Sequence, residues 1–169
     1  PGVDAVVLTN GVRVEWLNSF TYFANRSAYD ASINLAIEKG PFPLFKQDFV
    51  KTGFMKTMKR GIRNKVKEHG IRNCCLLTVA PTGTTSMVQG VTGGIEPVFS
   101  PVYIRRHRVV DENQNESISE TLVVSQEFVD HHDLVQGAYD VTPEEDMRMK
   151  MVVQKHVDNA VSKTINLPK

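Results

Sequence analysis

The run NCCLLTVA, residues 73 to 80, has no polar face and leads straight into PTGTTS, residues 81 to 86. A short apolar run of this kind reads as a strand of a sheet covered on both sides. The turn that follows is small, hydroxylated and uncharged, and TTSMVQG after it reads as a short helix. This stretch opens an order that is mostly strand, helix, strand, helix after residue 70, hence α/β. Neighbours on a strand point to opposite faces, so Cys74 and Cys75 cannot both face one site, and both read as buried core thiols.

The rest of the chain fits the same class. Residues 5 to 16, AVVLTNGVRVEW, alternate around Asn10-Gly11, the pattern of a hairpin with a type I′ turn. From Asn18 to Lys39, alanines, Phe23, Ile33, Leu35 and Ile37 recur at helical spacing. Gly40 ends that helix as a left-handed cap, and Pro41 and Pro43 prevent its continuation. LFKQDFVKTGFMKTM predicts a short helix and a turn. A basic helix over roughly 56 to 69 stops at Gly70. VYIRRHRVV, residues 102 to 110, predicts a strand, DENQNES a solvated loop and ETLVVSQEFVDHHDL a helix. Thr142-Pro143-Glu144-Glu145 starts a further helix, with threonine as N-cap and acids in the first turn. SKTINLP predicts a final strand.

VAPTGTTSMVQGVTGGIEP, residues 79 to 97, concentrates five hydroxyl residues and four glycines. Three readings are open for it: a flexible loop, an ordinary helix cap, or a cradle for an anion. The first turn of a helix leaves N–H groups unpaired at its positive end. Gly83 lets a ligand approach the backbone, and Thr82, Thr84, Thr85 and Ser86 offer hydroxyl donors. Such a turn holds a phosphate or diphosphate without a lysine. No Gly-Lys-Ser/Thr occurs there, so it is not a nucleotide-hydrolysing P-loop.

The totals exclude several other classes. The 169 residues are 41% hydrophobic and 23% charged, an ordinary balance for a folded domain or a piece of a larger one. A net charge of +1 gives no bulk field for nucleic acid. No apolar run approaches the roughly 20 residues that span a bilayer. No export signal is legible, and two adjacent cysteines make no framework of bridges, so a reducing cytoplasm is expected. Pro1 in place of methionine reads as a processed, trimmed or partial product.

The wording of three stretches goes further than their physics. LLTVAPTGTTSMVQGVTGGIEPVF resembles the corresponding segment of ribonucleotide reductase large subunits, the adenosylcobalamin-dependent class II type in particular. AYDASINLAIEKGPFPLF with GIRNCCLLTVAPTGT, and VTPEEDMRMKMVVQKHVDNAVSKTINLP, agree with the same family in the same order. The resemblance covers roughly residues 24 to 168 and leaves 1 to 23, a predicted hairpin and helix start, unassigned. It implies the later half of a ten-stranded α/β barrel over 24 to 169. It also implies an enzyme that reduces ribonucleoside di- or triphosphates to deoxyribonucleotides, the precursors for DNA replication, by thiyl-radical chemistry. By the same resemblance Pro81, Thr82, Gly83, Thr84, Thr85 and Ser86 bind the substrate's phosphates, and Gly94, Glu96 and Pro97 lie beside the active site. No catalytic role is given to Glu96. For the whole enzyme it implies adenosylcobalamin, a thioredoxin-type reductant and the remaining reductase chain or a complementing subunit.

The family's Asn-x-Cys-x-Glu string, which carries the radical cysteine, does not occur in these residues. No catalytic residue is therefore assigned in this chain, and alone it is expected to be inactive. Two other readings stand beside this one: a non-catalytic complementing half of a split barrel, or a stand-alone phosphate-binding module. His131-His132-Asp133 reads as a solvated helix end, since no further ligand stands at metal spacing. Arg105, Arg106, His107 and Arg108 read as a solvated strand face. The methionines at 147, 149 and 151, spaced by two, cannot form one helical stripe.

Overall fold

The computed structural model describes residues 10–110, 114–124, 129 and 136–167. Two compact units are formed. One combines Val14–Pro81 with Arg148–Ser162; the other is built on Thr82–Met147 and the segment from Lys163 on.

Helix α1 (Asn10–Lys39) runs for 30 residues, of which Val14–Lys39 belong to the first unit. The expected Asn10-Gly11 hairpin is thus overturned: the pair opens a helix, and tertiary context overrides its turn preference. Residues 1 to 9 lie outside the described residues. The buried stripe of α1 is Leu17, Thr21, Asn25, Tyr29, Ser32, Ile33 and Ala36. That i, i+4 stripe contains three polar residues, while Phe23 and Ile37 stand exposed on other faces. Thr21 caps its own hydroxyl onto the Leu17 carbonyl at 2.7 Å, and Asn25 donates to the His156 carbonyl at 2.8 Å. The buried polar groups are therefore satisfied, as they must be.

Gly40, at φ 80°, ends α1 as expected, its N–H donating to the Ala36 carbonyl at 2.9 Å. A 3-10 turn (Gln47–Lys51) follows, then α2 (Gly53–Thr57) and α3 (Arg60–His69). The single basic helix expected over 56 to 69 is broken at Met58 and Lys59, both with extended backbone. Ile62 and Val66 of α3 pack with Tyr29, Ile33, Met55 and Ile71 into the core of this unit. Phe42, Phe45 and Phe49 close over that core, with ring centroids 5.6 to 6.0 Å apart.

The expected buried strand at 73 to 80 is present only in part. Val79 bridges Val161 in parallel, with Val79 N–H donating to the Ala160 carbonyl at 3.0 Å and Ser162 N–H to the Val79 carbonyl at 2.9 Å. Asn159 N–H reaches the Leu77 carbonyl at 3.2 Å. The ladder does not extend because the Asp158 carboxylate, not a backbone carbonyl, accepts the N–H groups of Leu76 and Leu77 at 2.9 and 2.8 Å. Likewise SKTINLP contributes only the Ser162 N–H bond beside this bridge, and its described residues 162–167 form no strand. Cys74 and Cys75 are exposed rather than buried, since no second layer among the described residues covers the run at that point.

The second unit holds α4 (Gly83–Gln89) and the hairpin of β1 (Val102–Val110) and β2 (Glu116–Val124), paired antiparallel from Val102↔Val124 to Val110↔Glu116. The strand at 102 to 110 is as expected, and all four of Arg105, Arg106, His107 and Arg108 are exposed. Arg106 pairs with Glu120 at 2.7 Å and Arg108 with Glu116 at 3.3 Å across the strands. The helix expected from Glu120 is overturned over Glu120–Val124, where β-branched and apolar residues complete β2 instead. Glu116 and Ser117, expected in a loop, also belong to β2. His131-His132-Asp133 lie outside the described residues. Val98 bridges Gly137 in parallel.

Helix α5 (Pro143–Gln154) begins where the sequence places it. Thr142 N–H and hydroxyl both donate to Glu145 Oε2, at 2.9 and 3.0 Å, and Glu145 N–H returns to Thr142 Oγ1 at 3.3 Å. That is a capping box. Met149 is buried while Met147 and Met151 are exposed, so these methionines form no stripe. No helix among the described residues is long and apolar enough to cross a membrane.

Candidate functional site

The chain enters the site by Pro81 and turns at Thr82, whose φ of 47° is unusual for a β-branched residue. Two hydrogen bonds hold that conformation. The Thr82 carbonyl accepts Ser86 N–H at 2.8 Å, the first bond of α4, and Thr82 Oγ1 accepts Gly94 N–H at 3.0 Å. The N–H groups of Gly83, Thr84 and Thr85 belong to the first turn, which has no intrahelical acceptors for them. Pro81, Thr82, Gly83, Thr84 and Thr85 are all exposed, and a Cβ added at Gly83 would meet nothing within 4 Å. Open space therefore lies over the start of the helix.

The predicted hydroxyl donors divide. Thr84 and Thr85 face solvent. Ser86 is buried and donates to the Gly83 carbonyl at 3.0 Å, so it braces the turn from within instead of pointing at a ligand. Thr82 is likewise engaged, through Gly94. At the other end of α4, Gly90 (φ 69°) places Val91 N–H on the Ser86 carbonyl at 3.0 Å, a Schellman closure that lets so short a helix stop cleanly.

The GGIEP segment folds back toward the turn. Gly94 adopts φ 54°, and Glu96 N–H donates to the Gly93 carbonyl at 2.9 Å. Glu96 then makes two contacts of 2.7 Å: Oε1 accepts Thr164 N–H, and Oε2 accepts from Lys163 Nζ. Pro97 is buried beside it. Lys163 has 1% of its side chain exposed and also pairs with Asp146 Oδ1 of α5 at 2.7 Å. Asp146 is 3% exposed on the same measure, and its Oδ2 has no hydrogen-bond partner. Gly94 and Glu96, the positions implied beside the active site, are thus joined to the turn at Thr82 and to a buried ion cluster.

Sequence reasoning missed Lys163 and Asp146. Asp146 reads as one more acid in the first turn of a helix. The available signal for Lys163 is a lone cation within SKTINLP, a predicted strand, where burial of a lysine requires that it be paired.

Cys75 offers little chemistry. The Cys75 thiol is held above its ordinary range by desolvation, by the neighbouring Cys74 thiol and by the Asp158 carboxylate. A thiol so placed stays protonated near neutrality and is a poor nucleophile or metal ligand. No group of three or more histidine, cysteine, aspartate or glutamate side chains at metal-binding distance occurs among the described residues.

His156 gives a pH signature to the first unit. Its Nε2 lies 2.8 Å from Asn18 Oδ1, so Nε2 carries the proton, and the Tyr22 ring meets it edge-on at 5.7 Å. Burial first, and Lys155 second, hold its pKa below the usual 6.5. The unfolded chain therefore takes up a proton at a higher pH than the folded one. The stabilisation is complete above the unfolded value and is lost as pH falls through the folded value. Denaturant melts between pH 8 and 5 are expected to show stability declining on the acid side, and His156→Gln to flatten that decline. An unchanged slope in the variant would assign it to other groups.

Comparison with known proteins agrees with the geometry. The family model described as the ribonucleotide reductase barrel domain matches residues 10–169. A vitamin B12-dependent ribonucleoside-diphosphate reductase of Mycobacterium tuberculosis (strain CDC 1551 / Oshkosh) is 32% identical over 167 residues, covering 85% of this chain and 22% of the relative. One of the same description from Thermoplasma acidophilum is 26% identical over 167 residues, covering 86% and 20%. The ribonucleoside-diphosphate reductase subunit alpha of Treponema pallidum is 33% identical over 91 residues, covering 50% and 11%. The chain thus spans between about a tenth and a quarter of the length of such relatives. With the match running from α1 through the turn at Pro81–Ser86 to the paired segment at Val161, the chain belongs to the ribonucleotide reductase barrel domain family.

Proposed function

We propose that this chain is part of the catalytic barrel of a ribonucleotide reductase and supplies the turn that binds the substrate's phosphates. In this reading residues 24 to 169 form the later half of a ten-stranded barrel. Pro81, Thr82, Gly83, Thr84, Thr85 and Ser86 make the phosphate turn, with Gly94, Glu96 and Pro97 behind it. The observation that carries the proposal is the open start of α4: three first-turn N–H groups and the Thr84 and Thr85 hydroxyls lie at an uncrowded surface. Diphosphate is favoured over triphosphate because the matched relatives are named ribonucleoside-diphosphate reductases.

The chain's own part in the reaction is binding and orientation. First-turn amides fix a diphosphate, the threonine hydroxyls complete its hydrogen bonds, and the ribose is thereby held at a set distance from the turn. Radical chemistry at the 2′-carbon requires a cysteine in the family's Asn-x-Cys-x-Glu string, which these residues do not contain. Vitamin B12-dependent relatives support adenosylcobalamin as the radical source of the whole enzyme. In this reading the cobalamin is held by the remaining reductase polypeptide, and this chain's part is confined to the substrate's phosphates. A thioredoxin-type reductant and the remaining reductase polypeptide complete the proposed assembly. Exposed apolar side chains such as Phe23, Ile118 and Leu122 support a role within a larger structure.

Calorimetric titration with a ribonucleoside diphosphate tests the turn. Thr84→Ala with Thr85→Ala removes two hydroxyls without touching Ser86, and is expected to weaken binding by about 100-fold or more, since hydrogen bonds to charged groups are worth about 1.5–3 kcal/mol each and two are lost. A folded chain that binds no diphosphate, or a variant that binds as well as the parent, would sink the proposal.

A further inference from the structure

Lys163 is a cation with 1% of its side chain exposed, and its surroundings reach the turn. An ammonium has three protons to donate, and all three are accounted for: Glu96 Oε2 at 2.7 Å, Asp146 Oδ1 at 2.7 Å and the Thr164 carbonyl at 2.9 Å. No donor is left over for a ligand, so a direct substrate contact is excluded by its own hydrogen bonding. Its effect must pass through what it holds. Glu96, fixed at one oxygen by Lys163 and at the other by Thr164 N–H, anchors the turn from Gly93 to Pro97. That turn presents Gly94 N–H to Thr82 Oγ1. Thr82 is the residue in the left-handed region, where a β-branched side chain is costly unless something holds it.

We propose that Lys163 is a positioning residue for the phosphate turn, acting through Glu96 and Gly94 on Thr82 and so on the first-turn amides of α4. The inference rests on the phosphate-binding reading above and adds to it the device that holds the turn in shape. The charge count explains why the device is sensitive. Two buried or half-buried carboxylates share one cation, and Asp146 Oδ2 already lacks a partner. Removing the ammonium leaves the acids to repel one another, and Glu96 must move toward water. With Glu96 goes the seat of Gly94, and Thr82 is freed to relax.

Lys163→Met, Lys163→Arg and Glu96→Gln form the test, with amide exchange and diphosphate affinity both read on the same samples. Lys163→Met is expected to lower protection at Gly94 and Thr164 by about ten-fold or more, the equivalent of one lost hydrogen bond. Diphosphate binding should weaken by about the same factor. Protection at Ile33 and Val66 should stay unchanged. Lys163→Arg, which keeps the charge, is expected to recover most of both effects. A lesion of packing alone would not be rescued by the larger arginine. Glu96→Gln keeps an oxygen for Thr164 N–H and loses only the charge, so it carries the test if Lys163→Met does not fold. Unchanged protection at Gly94 in the folded variants overturns the proposal, as does unchanged diphosphate affinity alongside lost protection. If the parent chain binds no diphosphate, the phosphate reading fails by itself, and exchange at Gly94 still decides whether Lys163 governs the turn.

Discussion

Asp158→Ala is expected to destabilise the first unit by about 2–4 kcal/mol, because it orphans three donors at once. One carboxylate oxygen accepts both the Tyr29 hydroxyl and Leu76 N–H at 2.9 Å; the other accepts Leu77 N–H at 2.8 Å. Tyr29 is 1% exposed and belongs to the core, and its phenol is held far above the ordinary range by burial and by this same carboxylate. It remains a donor at any accessible pH, so its bond cannot be replaced by ionisation. The two amides lie where the 76–80 segment would otherwise continue a parallel ladder against 159–162, and water is their only substitute. Asp158→Asn separates the contributions: its oxygen can retain one or two of the bonds, and its amide cannot accept. It should fall between the parent and the alanine variant in denaturant midpoint. A loss below about 1 kcal/mol for Asp158→Ala would mean that water replaces the carboxylate without penalty. Tyr29→Phe in the same background should then cost nothing further, which is the coupling that a double-mutant cycle reads.

The same aspartate shows where sequence reading stops. NCCLLTVA looks like an ordinary buried strand because apolar runs report burial and not what pairs with the backbone. That a side chain from a distant loop would take two of its N–H groups depends on a contact about 80 residues away in the chain. Signals that act locally read well. Gly40 as a cap, the Thr142 capping box, the strand at 102 to 110 and the PTGTTS turn into a helix each depend on a few adjacent residues. Asn10-Gly11 failed because a two-residue preference was outweighed by a helix of 30 residues. Helix α1 was legible in extent but not in orientation. Its buried stripe passes through Thr21, Asn25 and Ser32, and those polar residues are satisfied by the Leu17 carbonyl, the His156 carbonyl and Asn73. Counting apolar periodicity therefore selected Phe23 and Ile37, which are exposed. At the candidate site the turn itself was legible, whereas Lys163 and Asp146 were not, because an ion cluster assembled from three separate segments leaves no spacing in the sequence.

The second large effect is expected at Gly70, where alanine should cost about 2–5 kcal/mol. The residue caps α3 with φ 77° and ψ −169°, a region that is essentially closed to any side chain. Strain is only half of the cost. A Cβ there would lie 2.7 Å from Pro41 Cβ and 3.2 Å from Pro41 Cγ, and a proline ring has no rotamer in which to retreat. Moving Pro41 is itself resisted, because Phe42 N–H donates to the Ile71 carbonyl at 3.0 Å and Arg72 N–H to the Ser32 carbonyl at 3.1 Å. Those bonds lace the end of α1 to the chain leaving α3, and the close approach of Pro41 to Gly70 lies between them. Gly40 provides the control. It also has positive φ, at 80°, but an added Cβ meets nothing within 4 Å. Gly40→Ala is expected to cost about 1 kcal/mol, the backbone penalty alone. Gly61→Ala, on the exposed side of α3 with open space around it, is expected to be neutral or to stabilise by up to about 1 kcal/mol through helix propensity. Equal losses at Gly40 and Gly70 in urea melts would show that conformation alone sets the cost. A larger loss at Gly70 assigns the difference to the contact with Pro41, and so to the seam between the end of α1 and the chain leaving α3.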